Sequence, residues 1–340
     1  MKITHKIETY TSDGEPVLRF TVMNSSGVYM EFTNWGARWI TASVPDVQGA
    51  LDNVLIGYDP LAGYLEDSYY MGATIGRFAN RIADASFTID RKTFHLEAND
   101  GNNTNHGGFS GFHNKVWQWE ELPDGIRFSL YSPDGEGGFP GNIRVITDYR
   151  FNEDNELSIR HYAETDCATY INMTNHAYFN LCGKGKKITE HRLHIPADRI
   201  LDTTPAFIPT GKRMNVKNTP FDFTSLKPIG TDLYADHEQL LWNKGYNHCY
   251  ILKDEISVEM LEAASLYEPV TGRKMTVMTD LPAVLLYTAG YYERPDTAVC
   301  LETQFYPDTP SHSDFPSCLV LPEKAYEHCT LFHFQVQKEE

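Results

Sequence analysis

Windows that alternate apolar and polar residues recur along the whole chain, whereas windows with a 3.6-residue apolar period are few and short. A period of two puts one face of an extended segment in a core and the other in solvent, so the pattern predicts strands. Residues 17–22 and 28–32 flank the turn signal Asn24-Ser-Ser-Gly27, and residues 87–90 meet 93–96 across a short turn. Pro123-Asp-Gly125 separates 117–120 from 126–131, Asn152-Glu-Asp-Asn155 separates 143–150 from 157–162, and Glu268-Pro-Val-Thr-Gly272 separates 263–267 from 274–279. Turn formers between β-branched and aromatic runs are hairpin signals. Further strands are expected at 283–288, 298–302, 318–321 and 331–336, and helices only around 60–66 and 231–240. An alternating βα architecture would lack its crossover helices. The prediction is an all-β chain, a large antiparallel β-sandwich with few short helices. No linker, composition shift or fixed-period repeat divides residues 1–340, which are expected to form a single domain.

Composition adds material for a packed core: 41% of the residues are hydrophobic and 13% aromatic. Charge narrows the partners. With 29 Lys+Arg against 46 Asp+Glu the formal net charge is −17, which repels phosphate backbones and anionic lipid, so no nucleic acid and no membrane partner is expected. The opening Met1-Lys-Ile-Thr-His-Lys-Ile-Glu lacks an apolar run of signal-peptide length, and no later stretch approaches a membrane span. The expectation is a cytoplasmic protein. Six cysteines at irregular intervals, without a CxxC pair and mostly inside apolar runs, are expected to be buried thiols.

Polar residues crowd segments where sheet architecture alone does not ask for them. Ile75-Gly-Arg-Phe-Ala-Asn-Arg-Ile82 sets Asn80 beside Arg81, and Asn99-Asp-Gly-Asn-Asn-Thr-Asn-His-Gly-Gly108 carries His106. Thr-Asn-His returns at Thr174-Asn-His176, an Asn-His pair at Asn247-His248, and Glu302 ends an apolar run in Leu301-Glu-Thr-Gln304. Taken singly, each has a plain alternative: a turn histidine, a capping residue, a solvated strand-edge glutamate. Together, His, Glu, Asn and Arg arriving from different loops and strand ends are what a groove for a polyhydroxylated ligand requires. Other chemistries lack their signatures. His191 and His194 stand three apart, on opposite faces of a strand, and no His-x-His or His-Glu-x-x-His pattern occurs, so no metal is expected. There is no Gly-x-Ser-x-Gly elbow, no Gly-x-Gly-x-x-Gly and no Gly-x-x-x-x-Gly-Lys.

Ten pieces in order resemble the galactose mutarotase (aldose 1-epimerase) family: Asn34-Trp-Gly-Ala37, Gly76-Arg-Phe-Ala-Asn-Arg-Ile82, Asn105-His-Gly-Gly108, Asp134-Gly-Glu-Gly-Gly-Phe-Pro-Gly141, Thr174-Asn-His-Ala-Tyr-Phe-Asn-Leu181, Ile208-Pro-Thr-Gly211, Thr219-Pro-Phe-Asp-Phe223, Gly245-Tyr-Asn-His248, Leu301-Glu-Thr-Gln304 and Phe315-Pro316. The resemblance implies interconversion of the α and β anomers of a free aldose, without metal or cofactor. It implies Glu302 as general base on the anomeric hydroxyl and His176 as general acid on the ring oxygen, with His106, Asn80, Arg81 and Asn247 binding the sugar. A carboxylate with an ordinary pKa of about 4.3 is expected to be ionised at neutrality, and a histidine near 6.5 to be held protonated by a negative neighbour. Two positions depart from the family pattern: Asn247 stands where aspartate is usual, and Leu285 where glutamine is frequent. The expectation is therefore a small-molecule aldose substrate, with galactose not assumed and glucose, xylose, arabinose or another aldose open, and a chain that is a monomer or weak dimer. Competing expectations are a sugar-phosphate epimerase, which would need several cationic side chains at the pocket, and a non-catalytic carbohydrate-binding or sensor protein. A glycoside hydrolase would need a second suitably spaced carboxylate beside Glu302.

Overall fold

The computed structural model describes residues 1–183 and 185–338. Alternation along the chain becomes three main antiparallel sheets. The first has five strands in chain order, Lys2–Tyr10, Pro16–Met23, Tyr29–Thr33, Arg38–Pro45 and Leu51–Asn53. The largest has nine, and its centre runs Gly125–Ser132, Ile143–Phe151, Glu156–Thr165, Tyr326–Val336, Arg273–Thr279 and Leu261–Tyr267. The third has five in the order Pro209–Asn215, Arg199–Thr203, Asn247–Ile251, Ala283–Tyr287, Cys300–Gln304.

Both five-stranded sheets cover the nine-stranded one. Phe20 meets Phe128 at 5.4 Å and Phe32 meets Tyr149 at 4.6 Å between the first sheet and the large one. On the other half, Thr303 and Thr330 exchange a hydroxyl hydrogen bond at 2.5 Å. Phe179 stitches the two smaller sheets together through β-bridges to Leu55 and Val299. A buried apolar cluster drawn from all three sheets extends from Leu18 to Phe334. Side chains interdigitating across facing sheets are the sandwich arrangement expected from the sequence.

The hairpins read from turn signals are present, with strand ends moved by a few residues; 117–120, for instance, becomes Gln118–Leu122. The helical candidates are a 3-10 turn, Leu61–Glu66, and a short α-helix, Glu238–Asn243. One thiol expectation is corrected. All six cysteines are free, but only Cys249, Cys300 and Cys318 are buried; Cys182 and Cys329 are half-buried and Cys167 is exposed in the bend after the strand Glu156–Thr165.

Candidate active site

Period-two alternation in the third sheet builds the floor of a cavity. Tyr250, Val284, Leu286 and Leu301 turn into the main core, so their strand neighbours Asn247, Leu285, Tyr287 and Glu302 face the other way and line a cavity of about 300 Å³. Leu285 lies directly opposite Glu302 in register, and Asn247 opposite Tyr287. Glu302 is thus a mid-strand residue whose side chain is 1% exposed, not a solvated edge glutamate. His248 belongs to the core face, packed 4.4 Å from Phe221.

Loops supply the walls. Thr174–Asn175 pairs with Thr74–Ile75, and the next residue is clamped at both backbone ends: His176 N–H donates to Ala73 O at 2.9 Å, and Gly72 N–H donates to His176 O at 2.9 Å. Its ring lies between Tyr178, stacked at 5.0 Å, and Tyr70, stacked at 6.0 Å. Thr104–Asn105 pairs with Arg81–Ile82, which brings His106 against Asn80. That contact closes in both directions. His106 N–H donates to Asn80 O at 3.2 Å, and Asn80 N–H donates to His106 Nδ1 at 3.2 Å. An accepting Nδ1 leaves the proton of the neutral ring on Nε2, where it is a donor. The loop can pass this close because Gly107 has φ +83° and no side chain; a Cβ there would sit 2.1 Å from Gly76 O.

The two arginines of the Gly76–Ile82 motif do different work. Arg77 is buried and donates to the carbonyls of Ser132, Pro133, Pro140 and Gly141 at 2.7 to 3.1 Å, fastening the Asp134–Gly141 loop. Arg81 faces the cavity, held by Asp100 Oδ2 at 2.7 Å and lying 4.7 Å over the Phe207 ring. Among the described residues it is the only lysine or arginine lining the cavity.

All six sequence-predicted site residues, Asn80, Arg81, His106, His176, Asn247 and Glu302, line this cavity. The reactive groups of His106, His176 and Glu302 lie within 4.8 Å of one another, and His176 Nε2 is 3.6 Å from Glu302 Oε1. Neither Glu302 oxygen, nor His176 Nδ1, has a hydrogen-bond partner, although all three are buried. Two imidazoles and a carboxylate are also a donor set that a divalent cation accepts, but His106 Nδ1 is already taken by Asn80. His191 and His194 do not converge: His191 Nε2 accepts Leu181 N–H in the core, and His194 faces Glu262.

Protonation is where the sequence expectation fails. Burial pushes the Glu302 carboxyl up to about 8, opposed by the charge of Arg81. Burial also pushes His176 down to about 4 and His106 well below the ordinary histidine value. Burial therefore favours the proton on the carboxyl and a neutral imidazole, because desolvation penalises both charged forms more than the nearby charges repay. Sequence reading also missed Tyr70, Asp100, Tyr178, Phe207, Tyr287 and Tyr291, which line the cavity together with Ser68, Tyr69 and Asn105. Asp100 stood in the same Asn/Gly-rich loop as His106, and Tyr178 in the same motif piece as His176, so both had a signal; Tyr70, Phe207, Tyr287 and Tyr291 had none among 20 Tyr and 18 Phe.

Known proteins are similar to this chain along nearly its whole length. The family model for aldose 1-epimerase matches residues 19–333. Galactose mutarotase of Bos taurus is 36% identical over 328 residues, covering 92% of this chain and 93% of that one. Aldose 1-epimerase of Escherichia coli (strain K12) is 33% identical over 335 residues, covering 95% and 96%. The crystal structure of galactose 1-epimerase from Lactobacillus acidophilus NCFM superposes with a TM-score of 0.87 at 25% identity, covering 98% of this chain and 99% of that one. A sandwich of this topology, the motif residues gathered on one cavity and relatives matching from end to end lead to one conclusion: the chain belongs to the aldose 1-epimerase family.

Proposed function

We propose that this chain interconverts the α and β anomers of a free aldose in the cavity over Glu302, with Glu302 and His176 moving the two protons. The observation that carries the reading is the buried Glu302 carboxyl, without a hydrogen-bond partner and 3.6 Å from an imidazole, on the floor of a cavity of about 300 Å³. A buried polar group left unpaired costs stability, and such a cost is retained where a ligand supplies the missing partners. Ring opening removes the proton from O1, breaks C1–O5 and delivers a proton to O5. Rotation about C1–C2 and closure on the other carbonyl face reverses each transfer. The carboxylate–imidazolium pair serves the cyclic sugar, and the same pair after both transfers is carboxylic acid and neutral imidazole. That second form is the one burial favours. The two forms hold the same number of protons, so sugar hydroxyls donating to Glu302 shift the pair toward its reactive form without exchange with solvent.

His106 presents Nε2–H to a sugar oxygen, and Asn80, whose Oδ1 accepts Arg81 N–H at 2.9 Å, keeps its amide NH₂ for the ligand. A single cationic side chain at the cavity speaks against a sugar phosphate. Asn247 and Leu285 favour one second reading, a carbohydrate-binding protein that has lost turnover. Polarimetry on freshly dissolved α-aldoses decides. Accelerated decay to the anomeric equilibrium is expected; sugar binding by calorimetry with no acceleration on any aldose would select the binding protein. We infer further that residues 1–340 work as one domain, as a cytoplasmic monomer or weak dimer. In support, one apolar cluster spans the chain and, among the described residues, no helix is long and apolar enough to cross a membrane.

A further inference from the structure

Both oxygens of Glu302 are buried, and among the described residues neither has a hydrogen-bond partner. Ring opening needs one proton acceptor at O1, so mutarotation leaves the second oxygen unexplained. The surroundings keep it free. Leu285, opposite Glu302 in register, has no donor to offer. Arg81, at the cavity wall, is held by Asp100 Oδ2 at 2.7 Å, and His176 Nε2 stops 3.6 Å from Oε1. A buried acceptor without a partner is costly unless a ligand satisfies it, and a ligand with two oxygens on its reacting carbon would satisfy both.

Mutarotation itself requires space for such a ligand. A site that turns one anomer into the other holds an oxygen on either face of C1, and an aldose fills the two positions one at a time. The hydrate of an aldono-1,5-lactone fills them together. It has the pyranose ring and hydroxyls of the aldose and one additional oxygen on C1. In a cavity of about 300 Å³ that oxygen takes the place which the other anomer needs in any case.

We propose that the site over Glu302 also hydrolyses aldono-1,5-lactones to aldonic acids, with water as the co-reactant. Addition uses Glu302 with its proton on, the form burial favours. One carboxyl oxygen takes a proton from water as the water oxygen bonds to C1. The other gives its proton to the exocyclic oxygen as the carbonyl π pair moves there, so Glu302 ends protonated as it began. The proton then passes to His176, which yields the carboxylate–imidazolium pair of mutarotation. Collapse follows the same path as ring opening. Glu302 takes the proton of one C1 hydroxyl, the C1–O5 bond breaks with its electron pair on O5, and O5 takes the proton of His176. Carboxylic acid and neutral imidazole are restored, and lactone plus water has become the open-chain acid. Its carboxyl ionises in solvent and does not reclose on the ring oxygen. This inference rests on the aldose 1-epimerase reading and adds a second reaction for the same pair.

Polarimetry first identifies the aldose turned over fastest among glucose, galactose, xylose and arabinose, and its freshly prepared 1,5-lactone is the probe. Acid release is followed in a pH-stat at about pH 6, between the limits of about 4 and about 8 that the pair sets. Release above the enzyme-free rate, in proportion to enzyme, is expected. The aldose should inhibit it competitively, with an inhibition constant equal to its KM for mutarotation. This arm uses the unaltered protein and does not depend on how a variant folds. Glu302→Gln is expected to lower both activities by the same factor, about 10²–10⁴-fold. Mutarotation without acid release above the enzyme-free rate overturns the inference and leaves the epimerase reading standing. So does acid release that the aldose fails to inhibit, or that folded E302Q retains. Turnover of no aldose overturns both.

Discussion

Asp67 and Glu302 are two of the buried carboxyl groups of this molecule, with side chains 0% and 1% exposed, and their surroundings are opposite. Asp67 accepts from Arg38 Nη1 at 2.6 Å, Tyr69 N–H at 2.9 Å, Met71 N–H at 2.8 Å and Tyr58 OH at 3.0 Å. Each bond fixes part of the loop that hands Tyr69 and Tyr70 to the cavity wall. Glu302 accepts nothing from the protein. Burial alone therefore says little about purpose. What separates a structural carboxylate from a reactive one is whether the protein satisfies it or leaves it for a ligand.

Removing each carboxylate should separate activity from stability. Glu302→Gln keeps the shape and loses the proton acceptor, so mutarotation is expected to fall about 10²–10⁴-fold while the fold persists. His176→Asn should fall in the same range. Near-normal polarimetric rates in either folded variant would sink its assigned role. Asp67→Asn should do the reverse. It leaves the Arg38 guanidinium, whose side chain is 0% exposed, without its counter-charge, and denaturant titration is expected to show a loss of about 3–5 kcal/mol. An Asp67→Asn protein as stable as the parent would mean that the four bonds do not hold the loop.

The contrast between these two groups also marks how far the sequence could be read. Strands with one face in the core were legible because alternation records that face. The first strand, Lys2–Tyr10, was not, since its residues lie almost wholly in solvent and leave little apolar signal. His106, His176, Asn80 and Arg81 were legible as motif pieces, because loops that crowd Asn, His and Gly serve no sheet. Asp67 carried no such mark. Tyr69 and Met71 are local turn partners, but the charged partner Arg38 stands 29 residues away and is brought in by tertiary structure alone. The protonation of the acid/base pair was misread for a related reason: it depends on how completely Glu302 and His176 are desolvated, and a mid-strand position looks like an edge position in sequence.

That protonation sharpens the comparison through pH. Below about pH 4, His176 is also protonated and no base remains; above about pH 8, Glu302 has lost its proton and no acid remains. A plateau in kcat/KM between these limits is expected, falling about tenfold per pH unit outside it. A flat profile through pH 9 would contradict the assignment of the upper limb to Glu302. Stability carries the same signature. The unfolded chain ionises this carboxyl in the usual range while the folded chain keeps the proton up to about pH 8. The stabilising contribution is thus complete below the usual carboxylate pKa and is lost as pH rises toward 8. Relative to Glu302→Gln, the parent should therefore lose up to about 1.4 kcal/mol per pH unit across this window and no more above it. A constant difference between the two proteins from pH 5 to 8 would show that the folded carboxyl is already ionised.

The smallest expected effect tests the comparison most directly. An orphaned carboxylate beside two imidazoles, all within 4.8 Å, is also how a vacant cation site looks. If a divalent ion were the missing partner of Glu302, the acid/base reading would be wrong while the contrast with Asp67 survived. Chemistry in the first shell argues otherwise. His106 Nδ1 accepts Asn80 N–H, so only Nε2 is left to bind a cation, and it must shed its proton to do so. The same Nε2–H is a ready donor to a sugar hydroxyl and needs no such change. Dialysis against EDTA is therefore expected to change the mutarotation rate by less than about twofold, whereas a true metal-ligand loss costs far more. Added Zn²⁺ should act as an inhibitor competing with sugar, since it would occupy Glu302 and His176. Activity abolished by the chelator and restored by one particular divalent ion would instead make Glu302 a ligand, and His176 its neighbour on the metal.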